Sequence, residues 1–138
     1  MTVQYLTLED LLVLAEDLGV PKVRDVGLLD SAAHRPQSSL MGQDAYPTLH
    51  EKAAVLLESV VRNHSLVDGN KRLAWMATFV FYGLNGIELD APEDEAYDLV
   101  IAAATGSIGH VEIAVRLAGW TQPDVAPPRN PVEFRFNV

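Results

Sequence analysis

The sequence predicts an all-α fold, a helical bundle closed around one buried central helix. Residues 73–86 read Leu-Ala-Trp-Met-Ala-Thr-Phe-Val-Phe-Tyr-Gly-Leu-Asn-Gly, and no charged side chain appears until Glu88. A helix apolar on nearly every face is stable only among other helices, and this one is too short and too soon broken to span a bilayer. Five flanking stretches carry apolar residues at helical spacing and supply the wrapping. With 138 residues, 49% of them hydrophobic, the chain is long enough to bury a core as one domain.

Residues 1–6 are a short apolar lead suited to an extended conformation. Thr7, Glu9 and Asp10 open the first helix with a cap and two acids, and Leu11, Leu12, Leu14, Ala15 and Leu18 form its buried side. Gly19, Val20 and Pro21 end it. A second helix is expected from about Asp25 to Ala33, with Val26, Leu29 and Ala33 on one side. Residues 35–46 have no period and contain Pro36, Ser38, Ser39, Gly42 and Asp44, the composition of a surface connection. Pro47 or Thr48 begins a third helix, which runs through Ala53, Ala54, Leu56, Leu57, Val60 and Val61 to about Asn63 and delivers His64. Arg62 near its end suits the negative pole of the dipole or could reach a phosphate.

The central helix follows Asp68-Gly69, a turn pair, with Asn70 as its expected cap; Asn85-Gly86 has the composition of a left-handed C-terminal stop. Beyond it, residues 88–95 form an acidic connection, and a helix from about Asp94 to Thr105 presents Ala96, Leu99, Val100 and Ala103. Gly106 closes it. The last helix, from Gly109 or His110 to Ala118, shows Val111, Ile113, Ala114 and Leu117, with His110 as a surface or capping residue. The composition changes at Thr121, where Pro123, Pro127, Pro128 and Pro131 deny regular helix. This divides the chain into a helical domain, 1–120, and a Pro-rich extension, 121–138. The alternation of apolar and polar residues over 132–138 predicts a short strand.

Chemistry concentrates at residues 63–72, Asn-His-Ser-Leu-Val-Asp-Gly-Asn-Lys-Arg. Lys71 and Arg72 fall in the first turn of the central helix, the wrong sign for the dipole there. That misplacement is explained if an anion arrives, because free amides, dipole and two cations together make a phosphate cradle. Asp68 is a hard oxygen ligand suited to Mg²⁺, which binds through one or two carboxylates plus substrate phosphates. His64 is the candidate base. The same residues also fit an ordinary turn followed by a solvated helix face, and spacing alone leaves both readings open.

The run His-Ser-Leu-Val-Asp-Gly-Asn-Lys-Arg resembles the signature of the Fic and Doc (death-on-curing) family: His, any residue, Phe, any residue, Asp or Glu, a small residue, Asn, Gly or Lys, Arg. Further landmarks resemble Doc-type chains in the family's order: residues 27–32, Arg35-Pro36, Tyr46-Pro47-Thr48, residues 51–54, residues 84–86 and residues 103–106. Together they cover roughly residues 5 to 120. Ser65 stands where many members have Pro, and Leu66 replaces the usual Phe, keeping an apolar anchor of smaller volume.

The resemblance implies a Fic/Doc-like bundle in which residues 35–46 form a flap, often a small hairpin, that aligns a target segment by strand addition. It implies His64 as the catalytic base, Gly69, Asn70, Lys71 and Arg72 as nucleotide or phosphate ligands, Asp68 as the metal ligand, Mg²⁺ as cofactor and ATP as co-substrate. Relatives with Gly in place of Lys71 transfer AMP, whereas Doc, with Lys, phosphorylates elongation factor Tu and so blocks translation. Lys71 therefore favours a protein Ser/Thr kinase, with AMP transfer or an idle binding module as the alternatives. Doc-type toxins are restrained by a Phd-type antitoxin. The internal inhibitory motif of many Fic chains, Ser or Thr with Glu four residues on and then Gly or Asn, is missing here, so the resemblance implies restraint in trans.

Charge and composition agree with these expectations. The formal net charge of −9 argues against direct nucleic-acid binding, which needs a basic surface. No cysteine is present, so disulfide and thiolate chemistry are excluded. No charged-then-apolar leader or membrane-spanning stretch is visible, which makes the cytoplasm the expected compartment.

Overall fold

Thr7 opens the first helix, α1 (Leu8–Asp17), with a reciprocal cap: its hydroxyl accepts from the Asp10 amide at 3.2 Å while the Asp10 carboxylate accepts from the Thr7 amide at 2.9 Å. The computed structural model describes residues 2–123. Asp25 caps α2 (Val26–His34) and Thr48 caps α3 (Leu49–Asn63), each one residue before its helix begins. Then come α4 (Asn70–Leu84), α5 (Glu93–Thr105) and α6 (His110–Ala118). Helix α3 packs against α2, α4, α5 and α6, and α4 also meets α1 and α5.

The buried central helix predicted from hydropathy is α4, and α3 joins it. Residues 52–61 of α3 are all buried, Lys52, Glu58 and Ser59 included. Hydropathy hides this because its charges are matched inside the fold. Arg35 Nη1 donates to Glu58 Oε1 at 2.7 Å and to Ser59 Oγ at 2.9 Å, and its Nε reaches Tyr46 Oη at 3.3 Å. The other Glu58 oxygen lies 3.3 Å from Arg62. Burial weighs against the Arg35 charge, but the hydrogen bonds to Glu58 and Tyr46 outweigh it and raise its pKa.

Residues 35–46 form the small hairpin that the resemblance implies. A 3₁₀ turn (Arg35–Gln37) leads into β1 (Ser39–Leu40), which pairs antiparallel with β2 (Gln43–Asp44). Met41 and Gly42 at the tip have φ of 53° and 79°, the two left-handed residues of a tight hairpin turn. Lys52, 1% exposed, holds the hairpin down. Its Nζ donates to Tyr46 O at 2.6 Å, Asp44 Oδ2 at 3.0 Å and Pro36 O at 3.5 Å. Leu40 and Met41 are left exposed at the tip.

The acidic connection holds an element not expected from the sequence. Residues Ile87–Leu89 are a strand, β3, paired antiparallel with β4 (Thr121–Pro123) in the register Leu89↔Thr121. Three residues are too few for alternation to show. The N-terminal lead is tied to the end of α4 by one side chain: Asn85 donates to Gln4 O at 2.9 Å and accepts from Gln4 N at 2.8 Å. The strand predicted over 132–138 lies outside the described residues. No helix among the described residues is long and apolar enough to cross a membrane.

His50 on α3 and Tyr82 on α4 link the two central helices, with Nδ1 and Oη 2.7 Å apart. Burial pushes the Tyr82 phenol well up and lowers the His50 pKa below the ordinary 6.5. The folded chain therefore takes up the His50 proton less readily than the unfolded chain. This contribution to stability is intact above pH 6.5 and is lost as pH falls from there through the folded pKa. In urea titrations at pH 8 and at pH 5, His50→Asn, whose amide can replace Nδ1 as the hydrogen-bond partner of Tyr82, is expected to lose less of its midpoint on acidification than wild type. Parallel losses would mean that His50 does not carry this dependence.

Candidate active site

Helix α3 ends at His64, the residue expected from the sequence to be the base. His64 is its C-cap, with φ 50° and ψ 44°, a left-handed conformation that costs an L residue about 1–2 kcal/mol. Its ring is exposed and makes no hydrogen bond or ion pair with a described residue. The left-handed step sends the chain inward, so that Ser65 and Leu66 are buried, at 0% and 1% exposure. Leu66 thus fills the anchor position that Phe holds in the resembled signature. Asp68 comes back to the surface just before α4 begins.

The sequence expectation that Asn70 caps α4 is corrected by the structure. Asn70 is the first helical residue and Gly69 is the cap. The Asn70 side chain points backwards, accepting from Leu66 N and donating to Leu66 O, both at 3.0 Å. Those two bonds use the amide group to close the loop, so it is unavailable to the helix amides. With no side-chain cap, the first-turn amides of α4 stay open to an outside acceptor.

Gly69 has a structural reason that the sequence did not reveal. Its φ is +88°, and a Cβ there would lie 2.6 Å from Val20 Cγ1 and 2.7 Å from Val20 Cβ and Cγ2. The loop is therefore pressed against the segment that follows α1.

Lys71 and Arg72 are both exposed in the first turn of α4, where the positive end of the dipole lies. Their situations differ. Lys71 makes no hydrogen bond or ion pair with a described residue. Arg72 donates from Nη2 to Leu18 O at 2.7 Å and so ties α4 to the end of α1. Arg62 is a structural residue, donating to Ala103 O at 2.9 Å and Ile108 O at 2.6 Å.

The donor set at the loop fits a magnesium nucleotide in one respect. Among the described residues no group of three or more His, Asp, Glu or Cys could hold a metal by itself. Asp68, exposed and unpaired among those residues, offers a single carboxylate. That donor set suits an ion whose remaining ligands are phosphate oxygens and water.

Sequence reading missed the platform under this loop. Residues 22–25 run beside it: Val23 bridges Leu66 antiparallel, Val67 N donates to Lys22 O at 2.9 Å, and the amides of Arg24 and Asp25 both donate to Ser65 O. Arg24 Nε donates to His64 O at 2.7 Å. In a chain of net charge −9, Lys22, Lys71 and Arg72 belong to the segments that build this loop, which favours the approach of an anion. No local signal links position 24 to position 64.

A groove of about 480 Å³ lies between α6 and the start of α3, lined by Thr48, Glu51, His110, Val111, Ala114, Val115 and Ala118. It is at the other end of α3 from His64, about 22 Å away at ~1.5 Å per residue, and so is separate from the His64 loop. His110 is the first residue of α6 rather than its cap, with its ring edge-on to Tyr46 at 5.5 Å.

Ser65 Oγ is buried with no hydrogen-bond partner among the described residues. An unsatisfied buried hydroxyl is destabilising, so Ser65→Ala is expected to raise stability by roughly 1 kcal/mol. The check is a higher urea midpoint at unchanged slope; a lower midpoint would show that the hydroxyl has a partner in solution.

Comparison with known proteins shows the family. Residues 4–82, which include the whole loop, match the family model described as Fic/DOC family. The protein of Mycolicibacterium smegmatis named Toxin Doc is 49% identical over 121 residues, covering 85% of this chain and 93% of that protein. The matched region holds His64 and Asp68 in the loop between α3 and α4 and Lys71 and Arg72 in the first turn of α4, and this chain belongs to the Fic/DOC family.

Proposed function

We propose that this chain is the toxin of a toxin–antitoxin pair and that it moves the γ-phosphoryl group of ATP to a Ser or Thr hydroxyl of a target protein. The observation that carries the reading is Lys71: a cation without a partner among the described residues, at the uncapped start of α4, where AMP-transferring relatives have Gly. Its side chain fills space that Gly would leave for an inner phosphate, which favours seating the nucleotide with its outer phosphate toward the base. The 49% identity to a protein named as a toxin supports the biological role.

The chemistry asked of the protein is positioning and charge stabilisation, because the transferred group spreads negative charge between an attacking and a leaving oxygen. His64 takes the proton of the target hydroxyl; an imidazole suits this because its ordinary pKa lies near neutrality. The freed oxygen bonds to the γ-phosphorus, the bond to the bridging oxygen breaks, and ADP leaves with that electron pair. Gly69, Asn70, Lys71 and Arg72 present amides and positive charge to the phosphate oxygens. Asp68 would hold Mg²⁺, which would supply further positive charge there. The flap aligns the target segment by strand addition. The proposed target is elongation factor Tu, with translation blocked as the result, and the proposed partner is a Phd-type antitoxin acting in trans.

Incubation with a translation extract and ATP labelled at the α or the γ phosphorus tests this reading. Label transferred from the γ position alone is the expected result. Transfer from the α position alone would make the chain an adenylylating enzyme. ATP binding without transfer of either label would make it a binding module.

A further inference from the structure

The left-handed His64 is held from outside its own helix. The last carbonyls of α3 need donors that the helix cannot supply, and they find them on one short segment. Arg24 Nε donates to His64 O at 2.7 Å and Nη2 to Asn63 O at 3.4 Å. The next carbonyl, Ser65 O, accepts from the Arg24 amide at 2.7 Å and the Asp25 amide at 3.0 Å. Asn63 Nδ2 donates to Leu28 O at 3.1 Å. Three successive residues around the base are thus fixed by residues 24–28.

We propose that Arg24 is a positioning residue for the transfer reaction: its guanidinium fork grips the carbonyls of Asn63 and His64 and so sets the backbone from which the imidazole projects. The inference rests on the reading of His64 as the base. Backbone held in a sparsely populated conformation marks functional sites when its surroundings over-determine it, and here the side chain of Arg24 supplies two of those constraints. The fork matters more than the charge. Lysine has one compact ammonium on a shorter reach and cannot place a donor at the Nε position.

The test compares wild type with Arg24→Ala and Arg24→Lys by three measurements: label transfer from ATP as a function of ATP concentration, hydrogen exchange of the amides at 64–69, and the thermal midpoint. Both variants are expected to lose about tenfold or more in kcat, because small misplacements of a reacting group are costly, with KM for ATP unchanged. Exchange over 64–69 is expected to speed up while the thermal midpoint stays near wild type, and millimolar guanidinium should restore part of the rate to Arg24→Ala.

A raised KM with kcat intact would make Arg24 a nucleotide ligand and overturn the proposal. So would wild-type behaviour of Arg24→Lys, which would leave charge alone as the cause. If wild type itself transfers no label, the kinase reading falls separately. Exchange over 64–69 then decides the anchoring role, and unchanged rates there would end it.

Discussion

His64→Asn is expected to abolish growth arrest and to cut label transfer from ATP by about 10²–10⁴-fold, the usual contribution of a positioned general base. Asparagine is the informative replacement because it tolerates the left-handed conformation better than alanine does. His64 has φ 50° and its ring touches no described residue through a hydrogen bond or ion pair, so the fold has little to lose. Circular dichroism and the thermal midpoint should therefore match wild type while activity disappears. Growth arrest by His64→Asn equal to that by wild type would remove the imidazole from the reaction.

Gly69→Ala combines two penalties at one atom. The φ of +88° disfavours any L side chain, and the new Cβ would meet Val20 at 2.6 Å. Together the conformational and overpacking costs come to about 2–5 kcal/mol, a large part of the stability of an ordinary domain. A double-mutant cycle separates them. In a Val20→Gly background all three contacts are removed, so Gly69→Ala is expected to cost about 1–3 kcal/mol less there than in wild type. Equal cost in both backgrounds would show that Val20 is not what excludes a side chain. Label transfer should fall in the single variant in either case, because the shifted loop carries both Asp68 and the backbone behind His64.

Helix ends were legible because capping is a contact between residues about three apart. Thr7 pairs with Asp10 as their spacing indicates. The buried face of α4 was legible because its apolar residues advertise it. The burial of α3 was not, because Lys52 and Glu58 read as surface charges until Asp44 and Arg35 are seen beside them. Asn70 was assigned to the wrong task for a related reason: the same amide can serve the helix ahead or the loop behind, and only the closed loop shows that Leu66 engages it.

The sequence alone thus determined that a histidine closes one helix, that an acidic turn follows, and that two cations open the next helix against its dipole. These features lie within nine consecutive residues, where chain connectivity guarantees proximity. Tertiary structure alone decided how the loop is held: Arg24 reaches His64 across 40 positions, and Arg72 reaches Leu18 across 54. Contacts at such separations depend on how whole helices pack, and spacing along the chain carries no record of them.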